Sequence, residues 1–217
     1  MNGRFDEKEG FAGLVLRLRG EGISNIDLLT AVEQTPRSQF VPSLYTASSY
    51  SSRTIPIECG SFMEGADMAV RIIDRLRLKS GHRILEVGTG SGYMAAVMGR
   101  LVERVLTIDR YRTLTTEAQK RFDNLGLRNI IVRHADGSAG LQGDGTFDRI
   151  IVTSAFPSMP RFYAEQLVSG GSMIAPLMVG EDRCQMVRLT KVGSRFENEV
   201  LFDAPYLPIV PRLSSYL

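Results

Sequence analysis

The stretch Arg83-Ile84-Leu85-Glu86-Val87-Gly88-Thr89-Gly90-Ser91-Gly92-Tyr93 decides the fold. A short apolar run reads as a strand, and it passes into Gly-x-Gly-x-Gly where Tyr93-Met94-Ala95-Ala96-Val97-Met98 predicts a helix. Glycines at such a turn let the backbone take positive φ and approach a ligand, and the helix aims the positive end of its dipole at the turn. A dinucleotide fingerprint places its third glycine one residue later, as Gly-x-Gly-x-x-Gly. That position is Tyr93, so the spacing speaks against NAD and for a nucleoside ligand that has no pyrophosphate to seat.

Residues downstream continue the pattern. Val105-Leu106-Thr107-Ile108-Asp109 reads as a second strand ending in a carboxylate, and a carboxylate there can accept both hydroxyls of a ribose. Asn129 to His134 reads as a third strand followed by Ala135-Asp136-Gly137, with the Asp placed to receive an adenine amino group. Open α/β sheets bind ligands beyond the carboxyl ends of their strands. Taken singly, Asp109 or Asp136 is as readily a solvated loop acid or a helix cap. Taken with the glycine turn, the two mark a nucleoside site. S-adenosylmethionine suits it, because its methionine part needs a close backbone turn and a nearby acid, which Glu86 supplies.

From Arg83 onward strand and helix patterns alternate. Asp148 to Thr153 reads as a fourth strand and Gly171 to Pro176 as a fifth. Gln185 to Thr190 and Phe196 to Phe202, around Val192-Gly193-Ser194, predict an antiparallel hairpin. A mostly parallel α/β sheet with a C-terminal antiparallel hairpin is the expected shape of a class I (Rossmann-like) methyltransferase core, covering residues 81–217. Residues 1–80 read differently, as a helical and loop segment covering the active site. Phe11 to Leu18 and Asn25 to Val32 read as short helices, the second capped by Asn25 or Ser24. Pro36 to Gly60, with Pro42 and Pro56, predicts irregular structure. Met63, Ala66, Ala69, Val70, Ile73 and Leu76 recur at helical spacing and predict an amphipathic helix leading to the first strand.

Composition agrees with an enzyme of the cytoplasm. The 217 residues are 43% hydrophobic, enough for one large domain. A net charge of +2 leaves no footprint for nucleic acid, and the arginines at 71, 75 and 77 read as the wet side of a helix. Cys59 and Cys184 lack metal-ligand spacing, so no metal or disulfide framework is expected. His82 and His134 read as surface or supporting residues. Leu14-Val15-Leu16 is interrupted by Arg17 and Arg19, which argues against a leader or a membrane span. The sequence leaves the oligomeric state open.

Over nearly its whole length the chain resembles the protein-L-isoaspartate O-methyltransferases. The resemblance rests on Thr35-Pro36-Arg37-Ser38-Gln39-Phe40-Val41-Pro42, on the glycine stretch Leu85 to Tyr93, and on His134-Ala135-Asp136-Gly137. It continues in Ile151-Val152-Thr153-Ser154-Ala155 with Pro157, and in Tyr206-Leu207-Pro208-Ile209. It implies that Glu86, Gly88, Thr89, Gly90 and Gly92 line the methionine part of S-adenosylmethionine, Asp109 the ribose, and Asp136 with Gly137 the adenine. Thr153, Ser154 and Ala155 would face the substrate, a protein or peptide with an isomerised aspartate. Methylation of its α-carboxylate lets the chain re-form a succinimide, which repairs damaged protein.

One segment departs from the family. After Ile55-Pro56-Ile57 and Gly60 the family reads Gln-Thr-Ile-Ser, its serine hydroxyl holding the substrate carboxylate, whereas this chain reads Ser61-Phe62-Met63-Glu64. Glu64 and Ser61 are therefore the candidate catalytic residues. Ser61-x-x-Glu64 before an apolar helical pattern also reads as a capping box, and this reading takes precedence over a catalytic Glu64. Two other functions remain compatible with the same residues. One is a methyltransferase of this fold with another acceptor, including a small molecule, for which Glu64 would serve as base or counter-charge; the other is an inactive cofactor-binding adaptor. Because Tyr93 replaces the dinucleotide glycine, S-adenosylhomocysteine is expected to raise the melting temperature and NAD to leave it unchanged, since stabilisation follows RT ln(1 + [L]/Kd). Stabilisation by NAD alone would reverse the cofactor assignment.

Overall fold

Strand β1 (Arg83–Val87) carries Ile84, Leu85 and Val87, all buried, and an apolar run covered on both faces belongs in the middle of a parallel sheet. The computed structural model describes residues 6–141, 143–180 and 183–215. It places β1 between β2 (Arg104–Asp109) and β4 (Phe147–Val152), both parallel to it. Strand β3 (Ile130–His134) extends the sheet beyond β2, and β5 (Leu167–Met178) extends it beyond β4. The expected hairpin follows as β6 (Cys184–Val192) and β7 (Arg195–Asp203), both antiparallel, and the order is β3-β2-β1-β4-β5-β6-β7. Strand order reverses at β1, which opens a crevice beyond its carboxyl end.

Alternate residues of a strand face opposite sides, and the two sides carry separate cores. Ile84, Val105 and Ile130 join the core shared with the helices of the first eighty residues. Leu85, Val87, Leu106, Ile108 and Val152 form the second, closed by Phe156 and Tyr163. Glu86 falls on the Ile84 side, in register with Thr107 of β2. Period-two alternation therefore drives a carboxyl group into a packed core.

Helices α1 (Glu7–Gly20) and α2 (Ile26–Glu33) start on side-chain caps, Asp6 accepting from the Lys8 amide and Asn25 from the Leu28 amide. Pro36 to Gly60 contains short 3-10 turns at Arg37–Phe40, Ser43–Ser48 and Glu58–Gly60 and a two-residue strand at Ile55–Pro56, and is otherwise irregular as the prolines predict. Helix α3 (Ala66–Leu76) buries Ala69, Val70, Ile73 and Leu76, and Asp67 at its start is gripped by Arg17 of α1 at 2.7 Å. Helix α4 (Tyr93–Gly99) is buried on every side, the environment of a helix packed at the centre of a domain. Helices α5 (Arg112–Asn124) and α6 (Arg161–Glu165) complete the layers.

The capping-box expectation for Ser61 and Glu64 is overturned. Helix α3 begins at Ala66 with Gly65 at the cap and no side-chain cap hydrogen bond. Phe62 and Met63 are instead drawn into a short antiparallel pairing with Pro56 and Ile55, so the segment is extended where the box would need the first helical turn. The Ala66 amide is satisfied by the Ser51 carbonyl at 2.8 Å. That approach requires glycine at 65, since a Cβ there would run into the Ser52 carbonyl.

Gly92 sits between turn and helix at φ 85, in the left-handed region that favours glycine. A Cβ on it would lie 2.9 Å from Phe122 Cζ and 3.0 Å from Ala118 Cβ. Gly92→Ala is expected to lose about 1 to 3 kcal/mol in urea unfolding with an unchanged m value; full stability in that variant would contradict the packing of α5 beneath the turn.

Candidate active site

The crevice at the carboxyl ends of β1, β2 and β4 holds a cavity whose floor is the glycine turn. The turn is built on backbone hydrogen bonds: the Gly88 and Thr89 amides donate to the Ile108 carbonyl at 2.8 and 3.1 Å, and the Gly92 amide to the Thr89 carbonyl at 2.8 Å. Asp109 holds its middle. One carboxylate oxygen accepts from the Gly90 amide at 3.0 Å and the other from the Tyr111 amide at 3.0 Å. Burial raises the Asp109 pKa, and the amides of Gly90, Tyr111 and Arg110 oppose that rise. A carboxylate keeps further lone pairs after such bonds, so Asp109 can still accept from a ligand while it shapes the turn.

Glu86 lies beneath the turn, 1% exposed. Its Oε2 accepts from the Thr107 hydroxyl at 2.6 Å, and Thr107 is 2.7 Å from the Thr89 hydroxyl. None of the ion pairs among the described residues involves Glu86. Burial pushes its pKa up to about 8; the Thr107 hydrogen bond works against this, and the charges of Glu64 and Asp109 add to it. A buried carboxyl group with one hydroxyl partner and no cation is incomplete.

At the far end Asp136 accepts from the Ser138 amide at 2.8 Å and from the Arg212 amide at 2.6 Å. Partial burial works to raise its pKa but is outweighed by these amides, which hold it below the ordinary carboxylate range. The neighbouring Gly137 carbonyl accepts from the Tyr163 hydroxyl. The Arg212 contact belongs to a C-terminal segment that lies across this end: Arg110 donates to the Arg212 carbonyl at 3.0 Å, and the Ser214 amide donates to the Arg110 carbonyl at 3.0 Å.

Residues 153 to 155 divide. Thr153 and Ser154 line the cavity, and the Thr153 hydroxyl lies 3.2 Å from the Gly88 carbonyl. Ala155 is fully buried, with its amide donating to Leu207 and its carbonyl accepting from Ile209. The expectation that Ala155 faces the substrate is therefore corrected. It serves as the backbone anchor that brings Tyr206 to Val210 into the cavity wall.

Ser61 and Glu64 both line the cavity. The Glu64 side chain points inward, its Oε1 accepting from the Tyr206 hydroxyl at 2.8 Å. Its carbonyl accepts from the fully buried Arg37 guanidinium, which also donates to the Ser49 carbonyl at 2.7 Å and stacks 4.4 Å over the Tyr93 ring centroid. Arg37 thus ties the Glu64 segment to the first helix turn after the glycines. Burial raises the Tyr206 pKa well above that of an ordinary phenol, and the adjacent Glu64 adds to the rise. Sequence reading gave Arg37, Thr107 and Tyr206 no role. The available signal for Arg37 and Tyr206 was their place in the segments Thr35 to Pro42 and Tyr206 to Ile209, which carry the family resemblance. His82 and His134 hold backbone, accepting from the Lys79 amide at 3.2 Å and meeting the Arg110 carbonyl at 2.9 Å.

Sheet, glycine turn and buried acid together define a class I methyltransferase. The profile described as Protein-L-isoaspartate(D-aspartate) O-methyltransferase (PCMT) matches residues 11–214. The chain is 61% identical over 204 residues to the protein-L-isoaspartate O-methyltransferase of Rhizobium meliloti (strain 1021), covering 94% of this chain and 100% of that one. It is 38% identical to the Azorhizobium caulinodans protein of the same name, covering 97% of each. Among solved structures, a protein-L-isoaspartate O-methyltransferase from Plasmodium falciparum in complex with S-adenosyl-L-homocysteine superposes with a TM-score of 0.79 at 20% identity, over 91% of this chain and 97% of that one. The chain belongs to the protein-L-isoaspartate O-methyltransferase family, as the sequence resemblance implied.

The Glu86 shift sets a pH dependence whose sign follows from linkage. A carboxyl group near 4.5 when unfolded and near 8 when folded holds its proton in the folded state between those values, so stability present at pH 4.5 is lost as pH rises towards 8. Glu86→Gln is expected to remove a slope on the order of 1 kcal/mol per pH unit from ligand-free urea unfolding measured between pH 5 and 8. An identical slope in the variant would contradict the buried, proton-holding Glu86.

Proposed function

We propose that this chain is an S-adenosylmethionine-dependent carboxyl methyltransferase that esterifies the α-carboxylate of isoaspartyl residues in protein or peptide, in a reducing cytoplasmic setting. The observation that carries the reading is Glu86, a buried acid with no ion-pair partner among the described residues, at the base of a glycine turn, in a chain of this family. The site residues fit the cofactor. Glu86 would take the ammonium of the methionine part, with Gly88, Thr89, Gly90 and Gly92 as its cradle; Asp109 would take the ribose, and Asp136 with Gly137 the adenine. Residues 1–80 would act as the cover and 81–217 as the cofactor-binding core.

S-adenosylmethionine supplies a methyl group on a sulfonium, ready for transfer. The chain's own part is placement. The acceptor carboxylate is already ionised near neutral pH, so it needs no base, and the work left is to align it and exclude water. Thr153, Ser154, Ser61, Phe62, Met63 and Tyr206 line the cavity; the first three would face the acceptor and the last three would wall it.

Methyl transfer from labelled S-adenosylmethionine is expected to an isoaspartyl peptide and not to its aspartyl counterpart, giving a base-labile ester. Asp109→Ala is expected to weaken S-adenosylhomocysteine binding by about 1.5 to 3 kcal/mol in calorimetry, as loss of a charged hydrogen-bond partner does. Tight binding in the variant would remove Asp109 from the ribose site. Cofactor binding without transfer to the isoaspartyl peptide would overturn the acceptor.

A further inference from the structure

The acceptor end of the cavity is acidic. Glu64 is half-buried there, and its charge adds to the rise of the Glu86 pKa. Among the described residues that line the cavity, Arg110 is the one cationic side chain, and its contacts are with Tyr111 and with the C-terminal segment at the Asp136 end. The Arg37 guanidinium lies behind the Glu64 backbone and does not line the cavity; it donates to the Ser49 and Glu64 carbonyls and stacks on the Tyr93 ring, while its Nη1 has no hydrogen-bond partner among the described residues. An isolated carboxylate entering this end therefore meets a second carboxylate and, among the described residues, no cationic side chain lining the cavity there, and like charges in a partly screened site repel.

An acceptor that carries its own cation beside the carboxylate reverses the sign. In an isoaspartyl residue at the head of a chain, the α-carboxylate and a free α-ammonium share one carbon. We propose that Glu64, held by Tyr206, pairs with that ammonium, so that this site prefers isoaspartate at a free amino terminus over isoaspartate inside a chain. The proposal rests on the carboxyl methyltransferase reading above. Tyr206 occupies Oε1 of Glu64, which leaves Oε2 and further lone pairs for an N–H donor. The Phe62 ring lies 6.4 Å from the Tyr206 ring, which puts apolar surface beside the phenol that holds Glu64. The reaction balances without an added base: the carboxylate oxygen gains the methyl, the S–CH3 bond breaks with its electron pair left on sulfur, and the ammonium keeps its protons.

The experiment compares two peptides of one sequence that begin with isoaspartate, one with a free amino terminus and one acetylated, at saturating S-adenosylmethionine. The free peptide is expected to have a kcat/KM about tenfold or more above the acetylated one, the ratio for an ion pair of about 1.4 kcal/mol. Glu64→Gln, which keeps the shape and removes the charge, is expected to bring that ratio close to one while S-adenosylhomocysteine still binds. Tyr206→Phe is expected to reduce the ratio in part. Equal rates on the two peptides, or a preference that survives in Glu64→Gln, overturn the pairing while leaving the carboxyl methyltransferase reading intact. Loss of S-adenosylhomocysteine binding in Glu64→Gln with the preference retained places Glu64 on the cofactor instead. Methylation of neither peptide and of no internal isoaspartate overturns both readings.

Discussion

The site depends on the burial of one carboxyl group. Glu86 is carried into the core by the alternation of β1, between Leu85 and Val87, which the second hydrophobic cluster must bury. Burial of an unpaired carboxylate is costly, and the ligand-free protein limits that cost by holding the proton, with the pKa raised to about 8, and by one hydroxyl bond from Thr107. The fold therefore stores an electrostatic deficit at the base of the glycine turn. Under the proposed function, the ammonium of the methionine part would relieve it, and a structural expense would become binding energy.

A buried charge shapes the side of the cavity that carries Glu64. Arg37 has no exposure, and the first eighty residues wrap around it: Ser49 and Glu64 offer carbonyls to its guanidinium and Tyr93 a ring face. Since a buried guanidinium must find such partners, the loop that carries Glu64 is fixed over the start of α4. The core of those residues is continuous with one face of the sheet. The first eighty residues and the glycine turn are thus positioned by the same packing, and the Glu64–Tyr206 contact joins those residues to the C-terminal segment.

The strand pattern, the glycine turn, the Asn25 cap and the closing hairpin were legible in the sequence because each rests on local rules of periodicity, backbone freedom and turn chemistry. Asp109 and Asp136 were legible as strand-end acids, though their hold on the amides of Gly90, Tyr111, Ser138 and Arg212 was not. The failures share one cause. Ser61-x-x-Glu64 met the local rule for a capping box, but pairing of residues 62 and 63 with 56 and 55, and the carbonyl of Ser51 at the helix start, overrode it. Ala155, Arg37 and Tyr206 owe their places to contacts with residues far away in sequence, and no periodicity announces those.

The central claim, that Glu86 waits protonated for a cationic partner, is tested most directly by proton linkage. S-adenosylhomocysteine binding would be measured at pH 7 by calorimetry in buffers of differing ionisation enthalpy. With a ligand-free pKa of about 8, binding of the ligand's ammonium beside the carboxylate is expected to release close to one proton. Binding without proton release would contradict the account.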